Sequence, residues 1–242
     1  MLRLRIGTQS LVLGLAAALA LGCAAWLKAR IEDAREAARE VQCLSDLKYF
    51  GLVLLNYHDS HGCLPSAASL GSDDSSPESW RVTLFREWNK VGLDRLYHSS
   101  VPWSHPTNAK LAAYDTTACF YWCPSGDGRR TKATDYVAVV GPHTAWPEGR
   151  CRSLGEITDD PSQTILLAEV EGSGIHWAEP KDLTLDQLLA RGGTSHHRRH
   201  FNVVFADGSV GRIRKDVDRE TLKALFTIDG GEPIDPQAWR LR

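Results

Sequence analysis

The sequence predicts an α+β fold, with one long N-terminal helix packed on a C-terminal antiparallel β-sheet. Three observations carry that expectation. Residues 6–27 are almost wholly apolar, and the stretch after them, IEDAREAAREVQCLSDLKYFGLVLLNYHDSHG, has helical periodicity with no proline before Pro65. The last third holds β-prone runs joined by an Asp-Gly turn.

The apolar segment IGTQSLVLGLAAALALGCAAWL covers, at about 1.5 Å per residue, the roughly 30 Å hydrocarbon core of a bilayer. Its polar residues Thr8, Gln9 and Ser10 lie near the start, and Trp26 and Lys28 mark an interfacial end. Residues 1–5, with Arg3 and Arg5, are read as a short cytoplasmic N-terminus, and residues 6–27 as a transmembrane helix. Lys28 and Arg30 at the far end reduce the positive-inside asymmetry. The same residues also fit a signal peptide, with Ala18-Leu19-Ala20 as a cleavage site. Ala20-Leu21-Gly22-Cys23 loosely resembles a lipobox. A retained anchor is the expectation, with the bulk of the chain outside the cytoplasm and the inner membrane as its location.

Residues 28–62 are read as the soluble half of the helix. Ile31, Ala34, Ala38, Val41, Leu44 or Leu47, Gly51 and Leu54 recur at three- or four-residue steps and form an apolar stripe. Glu32 with Arg35 and Glu36 with Arg39 pair on the solvated side. Gly62 and Pro65 stop the helix. If residues 6–61 are all helical, the helix is roughly 80 Å long.

Residues 63–242 leave room for one extracytoplasmic α+β domain with its own core. Thr134–Gly141 and Gln163–Val170 read as strands, and Phe201–Ala206 and Ser209–Ile213 as a hairpin about Asp207-Gly208, a two-residue turn with positive φ at both positions. A short helix is expected over Arg219–Phe226, capped by Asp218. Between residues 66 and 133, only Trp80–Trp88 reads as a helix.

A net charge of −2 and a pI near 6.5 exclude the basic footprint of a nucleic-acid binder. Beyond Cys23 there are five cysteines, Cys43, Cys63, Cys119, Cys123 and Cys151. Outside the cytoplasm, pairs among them are expected to oxidise and leave an odd thiol, with the connectivity open.

AREAAREVQCLSDLKYFGLVLLNYHDSHGCLP resembles the post-membrane helix of the planctomycete proteins called DUF1559, which are similar to type IV prepilins and type II secretion pseudopilins. His197, nine intervening residues and Asp207-Gly208 match the His-x9-Asp-Gly mark of that family. Trp80-Arg81-Val82, Phe120–Ser125, Asp135-Tyr136-Val137, ITDDPSQTILLAE, Trp177–Pro180 and Asp229–Glu232 follow in family order over roughly residues 30–235. The resemblance implies a pilin-like fold and a non-enzymatic structural or interaction role in a secretion, pilus or cell-envelope assembly. It implies membrane lipid and other pilin-like subunits as partners. The family's Gly-Phe-Thr-Leu-x-Glu cleavage motif is replaced here by Gly7-Thr8-Gln9-Ser10-Leu11, which argues for a permanent anchor over filament incorporation.

No catalytic residue or cofactor is expected, since no nucleophile elbow, Walker loop or His-Glu-x-x-His occurs. His196, His197 and His200 with Cys119 and Cys123 are zinc-compatible ligand types, but their spacing suits a basic loop and disulfide cysteines better. His197 with Asp207 is a second candidate pair, weighed against a plain turn aspartate. Asp73-Asp74 and Asp159-Asp160 lack calcium-loop spacing. Trp80, Trp88, Trp103, Trp122, Trp146 and Trp177 suit core anchors more than a ligand groove. The alternative function is an exported binding module or zinc-dependent enzyme with a cleaved or lipidated N-terminus.

Overall fold

In the computed structural model, residues 7–70, 76–88, 97–112, 120–126 and 132–241 are described. In chain order, α1 (Thr8–His61) precedes a small hairpin, β1 (Ala68–Leu70) and β2 (Pro77–Ser79), and then α2 (Trp80–Trp88) and α3 (Pro106–Ala112). Next come β3 (Tyr136–Val137), β4 (Val139–Val140), β5 (Ile165–Glu169), β6 (Leu183–Thr184) and α4 (Leu185–Arg191). The chain ends with β7 (His200–Phe205), β8 (Val210–Arg214), α5 (Arg219–Ala224) and α6 (Pro236–Trp239). A long N-terminal helix and a C-terminal antiparallel sheet are therefore present, as the α+β expectation requires.

Two compact units divide the chain, Met1–Val41 and Gln42–Arg242. The division falls within residues 28–62. In the first unit Leu11, Val12, Leu13, Leu15, Leu19 and Leu21 are all exposed, and the helix is long and apolar enough to cross a membrane. Arg35 pairs with Glu32 at 2.8 Å and Arg39 with Glu36 at 2.6 Å, each three residues apart as expected. Ile31, Ala34, Ala38 and Val41 were expected to begin the buried stripe but are exposed, Val41 at 63%. Periodicity marks a face of a helix and does not say where its partner begins.

In the second unit the stripe is buried from Cys43 onward. Cys43, Leu47, Phe50 and Leu54 follow steps of four, three and four, with Gly51 and Val53 beside them. Phe50 stacks on Tyr121 with centroids 5.1 Å apart and meets Tyr136 edge-on at 5.8 Å. Gly62 ends the helix at φ +75°, where its N–H donates to the His58 carbonyl. Just beyond, Cys63 is disulfide-bonded to Cys151, with Cα atoms 5.8 Å apart.

The main sheet has the order β3-β5-β7-β8 and is antiparallel throughout. The Thr134–Gly141 run, expected as one strand, is split between two sheets: β3 joins the main sheet, while β4 pairs in parallel with β6. The reason lies between them, where the Ala138 N–H donates to Asp182 Oδ1 at 2.9 Å instead of to a strand. Strand β7 is buried on both faces. Phe201, Val203 and Phe205 enter one core with Ile213, Leu222, Phe226 and Trp239. Val204 enters the other, with Leu47, Phe50, Leu54 and Leu167.

The hairpin forms where expected, but with a different turn. The Gly208 N–H donates to the Phe205 carbonyl, the Phe205 N–H donates to the Ser209 carbonyl, and only Gly208, at φ +77°, takes the left-handed conformation. Ala206-Asp207-Gly208 is thus a three-residue loop with a glycine bulge, not a two-residue turn. Asp218 caps α5 by accepting from the Thr221 N–H at 2.8 Å, as predicted. Trp80, Trp122, Trp146 and Trp177 are buried core residues, and Trp103 is partly buried and stacks on His176. The Trp88 side chain, Asp73-Asp74 and Cys119 lie outside the described residues.

Candidate functional site

Four side chains far apart in sequence meet inside the second unit: Cys43, Cys123, Glu169 and His197. All are within 1% of full burial, and one ligand atom from each lies within 4.8 Å of every other. The sulfurs of Cys43 and Cys123 are 2.9 Å apart, and both carry free thiols. His197 Nε2 lies 3.6 Å from the Cys123 sulfur and 3.3 Å from Glu169 Oε1.

Local structure aims each group inward. Cys43 heads the buried stripe of α1. Cys123 sits at the start of a turn closed by the Gly126 N–H on its carbonyl, and its own N–H donates to Asp135 Oδ2 at 2.7 Å. Glu169 ends β5, whose pairing with β7 shifts register between Ile165 and Leu167, and two-residue alternation then puts Glu169 on the face of Leu167. His197 enters from a tight turn in which the Ser195 hydroxyl donates to the His200 carbonyl and accepts from the His197 N–H.

Asn202 holds the far side of the carboxylate. Its Nδ2 donates to Glu169 Oε2 at 2.6 Å, and its backbone N–H reaches the same oxygen at 3.3 Å. Glu169 Oε1, fully buried, forms an ion pair with His197 Nε2 at 3.3 Å and lies beside the thiols.

The electrostatics follow from crowding in a dry site. Burial opposes charge on His197, but contact with Cys123 and Glu169 outweighs it and lifts the ring to about 10. The shared hydrogen bond with Cys43, then burial, pushes the Cys123 thiol up. His200 stacks on His197 at 5.2 Å, and burial together with the charge of His197 lowers it to about 4. His196 is held by Asp135 at 3.2 Å, which raises it.

The three neighbouring histidines therefore do three different things. Of the zinc-compatible set read from sequence, His197 and Cys123 come together, whereas His196 serves Asp135 and His200 packs on its neighbour. The His197–Asp207 pair does not form: Asp207 is exposed at the hairpin tip and accepts from the Ser209 N–H at 2.8 Å. Asp159 and Asp160 are taken up by backbone donors, Gly230 and Gly231 for the first and Ser162 for the second.

Sequence reasoning did not single out Cys43 as a site residue beyond a possible disulfide, and missed Glu169 altogether. Two signals were there: Cys43 is in phase with Leu47, Phe50 and Leu54, and Glu169 is the lone charge in the run ILLAEV.

Asp207-Gly208 has its own role at the other end of β7. Lys48 Nζ donates to the Gly208 carbonyl at 2.8 Å, and a Cβ on Gly208 would lie 2.6 Å from Leu55 Cδ1. The His-x9-Asp-Gly segment therefore touches α1 twice, by His197 near Cys43 and by Gly208 near Lys48 and Leu55.

A family model described as "Protein of unknown function (DUF1559)" matches residues 32–156, just over half of the chain. The matched stretch contains Cys43 and Cys123 and ends before Glu169 and His197. No curated protein and no solved structure matches the chain.

Proposed function

The chain belongs to the DUF1559 family, and we propose that it is a non-enzymatic, single-pass membrane protein of pseudopilin type. It acts as a structural or interaction component of a secretion, pilus or cell-envelope assembly, anchored in the inner membrane with its folded domain outside the cytoplasm. The observation that carries this reading is α1 itself. One unbroken 54-residue helix begins with an exposed apolar stretch and ends in the core of a folded domain. An exposed surface of Leu11, Leu15, Leu19 and their neighbours needs lipid or other apolar helices around it. The Cys63–Cys151 disulfide supports an oxidising compartment for the domain.

The alternative, an exported binding module or zinc-dependent enzyme, finds less support. The cluster of Cys43, Cys123, Glu169 and His197 is closed to solvent, whereas a catalytic metal keeps an open position.

The test is fractionation of the full-length protein from native membranes. It is expected to resist carbonate extraction, to keep residues 6–27 by N-terminal and intact-mass analysis, and to cross-link to other membrane helices from a photoreactive residue at Leu15 or Leu19. Release into the soluble fraction with the apolar segment removed would overturn the proposal.

A further inference from the structure

We propose that Cys43, Cys123, Glu169 and His197 bind one zinc ion as a closed structural site that fastens α1 to the sheet. This goes beyond the anchoring role and does not depend on it.

The geometry supplies the first argument. Bond lengths of about 2.3 Å to sulfur and 2.0–2.1 Å to nitrogen and oxygen, at tetrahedral angles, set ligand-to-ligand edges. Those edges are about 3.6 Å for sulfur to nitrogen and about 3.4 Å for nitrogen to oxygen. The observed edges are 3.6 Å from Cys123 to His197 and 3.3 Å from His197 to Glu169. The sulfur pair, at 2.9 Å, lies between a disulfide of about 2.05 Å and a zinc edge of about 3.8 Å, so this edge does not choose between them. The edges to nitrogen and oxygen fit the zinc polyhedron.

The second argument is the orientation of the carboxylate. The buried Glu169 Oε1 has His197 Nε2 as its ion-pair partner at 3.3 Å, and a carboxylate oxygen so buried requires a positive charge beside it. Asn202 occupies Oε2 with two donors and leaves Oε1 turned toward His197 and both thiols. Outer-shell support that orients one carboxylate oxygen and spares the other is what a metal ligand requires.

Ligand chemistry then selects the ion. Two thiolates and an imidazole favour zinc over calcium or magnesium, and full burial with four protein ligands matches a structural site. Binding needs both thiols and His197 Nε2 free of their protons, which are released to solvent, and the ion then supplies the positive charge beside Glu169. The buried half of α1 is then fastened at both ends, by the metal at Cys43 and by the disulfide at Cys63.

The experiment uses the full-length protein, purified in detergent without chelator. Metal analysis is expected to find about one zinc ion per chain, and Cys123→Ser or Glu169→Gln to reduce that to near zero. Because those variants could unfold, the unmutated protein is also exchanged into cobalt, where thiolate-to-cobalt charge-transfer bands and intense tetrahedral visible bands are expected. Non-reducing peptide mass mapping is expected to recover Cys43 and Cys123 as alkylatable thiols. A Cys43–Cys123 linked peptide without bound metal overturns the proposal, as does zinc that persists in a folded Cys123→Ser variant.

Discussion

Gly208 is subject to two constraints at once, and either would exclude a larger residue. Its φ of +77° lies where a Cβ is strained, and a Cβ there would stand 2.6 Å from Leu55 Cδ1 on α1. Gly208→Ala is therefore expected to lower stability by about 1–3 kcal/mol, read as a fall in the urea midpoint. Adding Leu55→Ala separates the causes. The double variant should recover none of the backbone strain but should lose less than the sum of the two single changes, because the steric clash is gone. Simple additivity would show that Leu55 does not confine the turn. The Asp-Gly pair was legible as a turn because those residue types favour one wherever β-prone runs flank them. Its actual geometry was not, because Ala206 joins the loop and α1 packs against it, and neither is a property of the dipeptide.

At the scale of elements, a buried ion pair joins α2 to the connection before β6. Arg81 Nη2 donates to Asp182 Oδ1 at 2.5 Å with both side chains fully buried, and Trp80 Nε1 and the Ala138 N–H donate to the same carboxylate. Burial raises the Asp182 carboxyl even though Arg81 pulls the other way. Breaking such a pair on one side leaves a charge in a dry environment. Arg81→Met and Asp182→Asn are each expected to cost about 3–5 kcal/mol, and the double variant distinctly less than their sum. Urea unfolding of the four proteins measures the coupling; a coupling near zero would show that the pair is not what holds α2. The sequence placed a helix at Trp80–Trp88, where α2 forms. It could not reveal that Asp182, a hundred positions on, neutralises Arg81. The same limit hid the four-residue cluster: Cys43 and Cys123 are eighty positions apart, and ligand-spacing rules act only on neighbours.

At the scale of the whole molecule, the two halves of α1 answer to different solvents. The apolar length and the later amphipathic period were both visible in the sequence, and in the structure packing against the folded domain begins after Val41. Among the described residues of the helix, the buried side chains come after that point, starting with Cys43 and running through Leu47, Phe50 and Leu54. Residues before it contribute exposed apolar side chains and solvated pairs such as Glu32–Arg35, which add a few tenths of a kcal/mol each. A chain beginning at Glu36 is therefore expected to fold as the second unit alone, soluble without detergent, with the Cys63–Cys151 disulfide formed. Its unfolding free energy should lie within about 1 kcal/mol of the value for the folded domain in the full-length protein, since only a frayed helix end is lost. Amide exchange checks this residue by residue: protection at Leu47, Phe50 and Leu54 should match that of β7. Rapid exchange along this stretch, with β7 still protected, would mean that the buried half of α1 needs its membrane half to stay docked.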